Sequence, residues 1–168
     1  MEMVYYNLKF LLLLTVIVAV LNLFLSKVPK TKNRVFELFL LWFLVITVGV
    51  GGIWNFIDAV FVADMTAALI ENPFQFEVGI ANLSLGILGL LCWKLRNNFW
   101  TATAIAFLTF YVGVAYGHIV TILQTGQLEN AGLDIWMWDI IIPILIPIAL
   151  ARLLIAYKIT KKLIDLKI

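Results

Sequence analysis

Five long apolar runs separated by short polar breaks organise this chain. They cover about Val4–Leu25, Val35–Val60, Phe74–Trp93, Phe99–Leu123 and Ile135–Tyr157. Some twenty apolar residues are what a helix needs to cross a hydrocarbon layer roughly 30 Å thick. The second run is longer, roughly 39 Å at 1.5 Å per residue, and is expected to project beyond the bilayer. Each break carries its own signal. Ser26–Arg34 is lysine-rich, Asn72-Pro73 marks a turn and a helix start, and Lys94–Asn98 is a tight basic connection. Gln124–Asp134 is polar with two glycines, and Lys158–Ile168 is a basic tail. The pattern predicts an all-α integral membrane bundle of five transmembrane helices in one domain, residues 1–168. Pro143 and Pro147 predict a kink in the fifth helix.

Charge gives the bundle a direction. With these spans, eleven of the twelve basic residues fall on one side, Lys9 being the exception. Lys and Arg collect on the cytoplasmic side, which places the N-terminus outside and the C-terminus in the cytoplasm of a multi-pass protein of the cell membrane. Eight of the ten acidic residues fall on the other side. Because acids contribute little to orientation, that outer collar is a separate observation.

Composition narrows the classes further. The chain is 64% hydrophobic and 13% charged, with a mean hydropathy of +1.05. A basic isoelectric point usually suggests nucleic acid. Here the bases sit in short loops beside apolar spans, so the expected partner is the lipid bilayer and nucleic acid is excluded. Cys92, the one cysteine, permits no internal disulfide or multi-cysteine metal site and is expected to be a buried thiol. Met1–Leu8 holds Glu2 and no base, and no small-residue cleavage site follows Leu25, so the first run is expected to be a retained span.

Small and polar residues mark the faces expected to pack. Gln75, Gly79, Asn82, Gly86 and Gly89 share one face of the third span, and Thr109, Gly113, Gly117 and Thr121 form a ladder on the fourth. Thr47, Gly51, Asn55 and Asp58 form a stripe on the second. Small residues let helices approach closely where lipid supplies no hydrophobic drive, so these stripes predict packing among spans two, three and four.

Depth singles out the candidate chemistry. His118 and Glu77 lie roughly 28 Å and 24 Å above the inner edge at 1.5 Å per residue. Asn55 and Asp58 reach a similar level on the second span, and Asp139 does so on the fifth. Ionisable groups at such depth usually face a bundle interior or a wet cavity. The expectation is an outer polar pocket lined by Asn55, Asp58, Gln75, Glu77, Asn82, His118 and Asp139. Asp64, Glu71, Glu129 and Asp134 read as ordinary loop residues. Such a pocket suits proton transfer, a quinone headgroup, or one metal ion held by Glu77 and His118. Solvated span ends would give the same residues. A lone histidine excludes bis-histidine haem within one chain, and no standard catalytic order is present, so no catalytic residue is assigned.

The run Asn72-Pro73-Phe74-Gln75-Phe76-Glu77-Val78-Gly79, with Gly117-His118, Asn130-Ala131-Gly132 and Asp139 before Pro143, resembles an uncharacterised family of small prokaryotic multi-pass membrane proteins. The resemblance covers roughly Phe36 to Leu150. That family is expected to carry a histidine where Asp58 stands. More loosely, Glu77, Gly86, Lys94, Arg96 and His118 resemble the DoxX-like superfamily. That likeness implies a four-helix membrane core and, in some relatives, sulfur-compound oxidation with quinone as acceptor.

Three uses stay open on the sequence. One is an accessory or structural subunit with protein partners or a second copy of itself. Another is a quinone- or small-molecule-linked redox component with Glu77 and His118 as proton carriers. A small transporter is the third, although the nearly apolar inner halves of the spans argue against a long polar path.

Overall fold

The computed structural model describes residues 2–26, 31–62, 73–125 and 142–165, and their only regular structure is helical. Helix α1 is Glu2–Leu25 and α2 is Lys32–Trp42. The rod begun by α2 continues through a π-helical segment, Phe43–Val50 (π1), then α3, Gly51–Ile57, and a second π segment, Asp58–Val62 (π2). Helix α4 is Pro73–Leu91, α5 is Asn98–Thr125 and α6 is Ile142–Asp165. Two stretches, Arg34–Phe61 and Asn98–Gly117, are long and apolar enough to cross a membrane; Phe10–Leu25 and Phe76–Leu91 are shorter apolar helices.

Local chemistry explains the boundaries. The Thr31 hydroxyl accepts the Arg34 backbone N–H at 3.3 Å, satisfying one orphan donor at the start of α2. Pro73 occupies the first turn of α4, where its missing N–H costs nothing. Between α4 and α5, Asn97 takes a left-handed φ of 61°, which reverses the chain in a few residues. Asparagine tolerates that conformation better than most residues. At the rod's junctions Phe43, Gly51 and Asp58 all keep right-handed helical angles, so the rod runs unbroken from Lys32 to Val62.

The rod is the hub. Its lower part packs on α1 and α6, π1 touches α1, α4 and α5, and α3 lies along α4. Helix α5 packs mainly on α6. Leu40, Leu44 and Val48 of the rod, Trp100, Ala104 and Phe107 of α5, and Leu150, Leu154 and Tyr157 of α6 form one buried cluster. Many large apolar side chains point outward instead, among them Phe10, Leu13, Ile17, Ile105, Val112, Ile155 and Ile159.

A glycine seam joins rod and α4. A Cβ on Gly89 would stand 2.4 Å from the Gly49 backbone N and 2.6 Å from the Leu44 carbonyl oxygen. One on Gly52 would stand 2.6 Å from the Gly86 N, and one on Gly86 2.8 Å from the Ile53 N. Backbone meets backbone here, leaving no room for a side chain. Gly79 continues the line against Phe56, Ala59 and Val60.

The expected faces are redistributed. On α4, Gly79, Asn82, Gly86 and Gly89 do face the rod. On the rod, Gly49 and Gly52 make that contact, whereas Thr47 and Gly51 turn to α1: Gly51 meets Leu11, and the Thr15 and Thr47 hydroxyls share a buried 2.9 Å hydrogen bond. Thr47 and Gly51 thus share a face as their spacing has it, but the neighbour that face meets is α1 rather than α4. The α5 ladder differs too, since a methyl on Gly113 would meet nothing within 4 Å and Thr109 is exposed.

Candidate functional site

Inside the bundle several polar side chains are hydrogen-bonded, although the Trp42 Nε1 is buried without such a partner among the described residues. The Thr15–Thr47 bond ties α1 to π1. Higher on the rod, the Asn55 side chain meets the Tyr111 hydroxyl of α5. Tyr111 stacks on Phe107 at 4.3 Å between ring centroids, and Phe107 stands edge-on to Phe43 at 6.1 Å. An aromatic column thus climbs from the lower rod along α5 and ends in an amide–phenol contact. On α4 the Asn82 Nδ2 donates to the Val78 carbonyl at 2.9 Å, satisfying a buried amide within its own helix. These bonds suit an apolar interior, where an unpaired polar group is costly.

The remaining candidates are placed as follows. Asp58 opens π2 and is partly buried. Glu77 is exposed. It lies two residues from Gly79, about 200° around the helix at 100° per residue, and so faces away from the rod. Gln75 and His118 lie on α4 and α5, but their side chains fall outside the described part. Asp139 lies outside the described residues altogether. The structure therefore joins Asn55 to Tyr111 and places Asn82 on the glycine seam. Among the described residues no three of His, Cys, Asp and Glu lie together as metal ligands.

The opposite end gathers charge. Glu37 of α2 takes Arg34 Nη1 at 3.0 Å on one carboxylate oxygen and Arg96 Nη1 at 2.8 Å on the other. Arg96 also lies over the Trp100 ring, 5.6 Å from its centre. Lys161 Nζ donates to Asn97 Oδ1 at 2.6 Å, tying the end of α6 to the α4–α5 turn. Beneath these contacts the fully buried Trp100 donates Nε1–H to the Cys92 carbonyl at 2.8 Å and packs on Tyr157. Trp42 and Trp93 meet edge-on at 5.1 Å. Three basic segments, far apart in sequence, meet at this end.

Sequence reasoning had no sign for Tyr111, Glu37, Gly49 or Gly52. An aromatic in an apolar run, one acid among bases and two glycines off an α-helical stripe each look ordinary until the helices are assembled. Cys92 is buried, as expected.

Neither a curated protein nor a solved structure matches the chain. Residues 7–162, a wider stretch than the motifs alone suggested, match a family of unknown function, DUF6790, and the chain belongs to that family.

Proposed function

We propose that this chain is a five-span protein of the cell membrane, N-terminus outside and C-terminus cytoplasmic, acting as an accessory or structural subunit that offers its outer face to a protein partner. The glycine seam carries this reading. Rod and α4 meet at backbone distance, and nearby interior polar groups are satisfied internally, Thr15 by Thr47 and Asn82 by the Val78 carbonyl. That interior suits a scaffold. Two helices of spanning length, apolar side chains turned outward and bases gathered at one end support the membrane placement. On this reading Asn55, Asp58, Gln75, Glu77, Asn82, His118 and Asp139 belong to the outer part, with the exposed Glu77 available to a partner.

The test joins topology to assembly. Reporter fusions at the two termini should report opposite sides, and detergent rather than alkali should release the protein from membranes. Native-gel migration of the complex should change in Glu77→Ala with His118→Ala while helicity and melting temperature stay put. A melting temperature that collapses together with assembly would make the pair internal glue and defeat the partner-facing reading.

A second reading, a DoxX-like quinone-linked redox component, draws on the column Phe43–Phe107–Tyr111 and the amide–phenol contact at its top. Aromatic faces and a hydrogen-bonding tip suit a quinone ring. Quinone retained by purified wild type and lost from Tyr111→Phe would favour it over the scaffold.

A further inference from the structure

We infer that the basic end of the bundle is a binding seat for an anionic phospholipid headgroup; this rests on the membrane-spanning reading above. Four observations carry it. First, the surface is tied together. The Arg96–Glu37 pair fixes the α4–α5 turn to α2, and the Lys161–Asn97 bond fixes the end of α6 to the same turn. Second, charge is left over. Lys94 lies three residues before Asn97, and Lys158 lies one turn before Lys161; both are exposed and neither has a carboxylate partner among the described residues. Arg96 spends one Nη1 on Glu37 and keeps further donors, with its side chain 48% exposed.

Third, an apolar row accompanies the charge. Ile155, Ile159 and Leu163 are exposed at four-residue steps on α6, beside the row of Lys158 and Lys162. Trp93 and Leu95 are exposed on the adjoining turn. A soluble anion has no use for that row, whereas a phospholipid brings acyl chains to cover it and a phosphate to meet the lysines. Fourth, the position is suitable. Tryptophan and snorkelling lysine side chains belong at headgroup level, and basic pockets between cytoplasmic helix ends receive anionic headgroups.

The test uses the full chain in a neutral detergent, titrated with short-chain phosphatidylglycerol, chain-matched phosphatidylcholine, or inorganic phosphate, with the melting temperature read at each step. Phosphatidylglycerol should give a saturable rise and the other two should not. Lys94→Gln and Lys158→Gln should each weaken the apparent affinity about fivefold, matching roughly 1 kcal/mol per basic residue near the surface. Lys9→Gln, towards the far end of α1, should change nothing. Equal stabilisation by phosphatidylcholine, saturation by inorganic phosphate, or full affinity in the double variant would overturn the inference. Failure of the underlying reading looks different: the protein would then be released from membranes by alkali, whatever the titrations show.

Discussion

Replacing Gly89 with Ala tests the seam most directly, because the three atoms nearest its new methyl all belong to the main chain. The ideal Cβ lies 2.4 Å from the Gly49 N, and ordinary contact begins at 3.4 Å, so rod and α4 must part by about 1 Å. A gap of 0.5–1 Å forfeits roughly a quarter to a half of each dispersion contact along the interface. Overpacking of this kind costs about 1–3 kcal/mol. Against it stands the helix preference of Ala over Gly, about 1 kcal/mol in water. The net expectation is a loss of up to about 2 kcal/mol, or up to roughly 30-fold in the folded-to-unfolded ratio, and a deficit of about 1–3 kcal/mol against a variant that gains the helix preference alone. Gly113→Ala is the matched control: nothing lies within 4 Å, so only the helix preference acts and stability should hold or rise slightly. Reversible unfolding in mixed micelles, followed by far-UV circular dichroism, reads both variants on one scale. If Gly89→Ala unfolds no more easily than Gly113→Ala, the seam is not a close backbone contact and the scaffold argument loses its main support.

Three further outcomes are expected. In a double-mutant cycle of Thr15→Val and Thr47→Val, micelle unfolding should show a coupling of about 0.6 kcal/mol, the average for hydrogen bonds between membrane helices; zero coupling would mean the hydroxyls do not bond. Asn97→Ala should be less stable than Asn97→Gly by about 1 kcal/mol, because both lose the Lys161 bond but only glycine accepts a φ of 61° freely; equal melting temperatures would contradict that backbone conformation. Trp100→Phe loses the bond to the Cys92 carbonyl, worth about 1 kcal/mol. Maleimide should then label the buried Cys92 faster than in wild type, and an unchanged rate would show that Trp100 does not close over it.

The helices were legible because length and apolarity decide them. Asn72-Pro73 announced the start of α4, and the bases of Lys94–Asn98 announced the turn that Asn97 makes. Gly86 and Gly89 were legible as a packing face because α4 is a regular helix. Their partners were not. Spacing keeps Thr47 and Gly51 on one face but does not say which neighbour that face meets, here α1, and the π winding of the rod is a further departure from a regular period. Nothing in Phe43–Val50 announces the change, since its residues are apolar or small throughout. The polar layer expected from the sequence is a statement of level and not of contacts. Level follows from counting along a helix, whereas contact depends on rotation, and rotation carries Asn55 to Tyr111 and Glu77 away from the rod.

The wide-wound stretch from Phe43 to Val50 also changes what the rod can tolerate. Removing one residue from an ordinary helix turns everything beyond it by about 100°, which would swing every later contact out of place. A π segment already holds surplus residues relative to an α-helix of the same turns. A one-residue deletion there can tighten the winding and leave Gly52, Asn55 and Phe56 on their present bearings. Phe43–Val50 is thus a length buffer, the stretch of the rod where the chain can shorten by a residue without losing its aim.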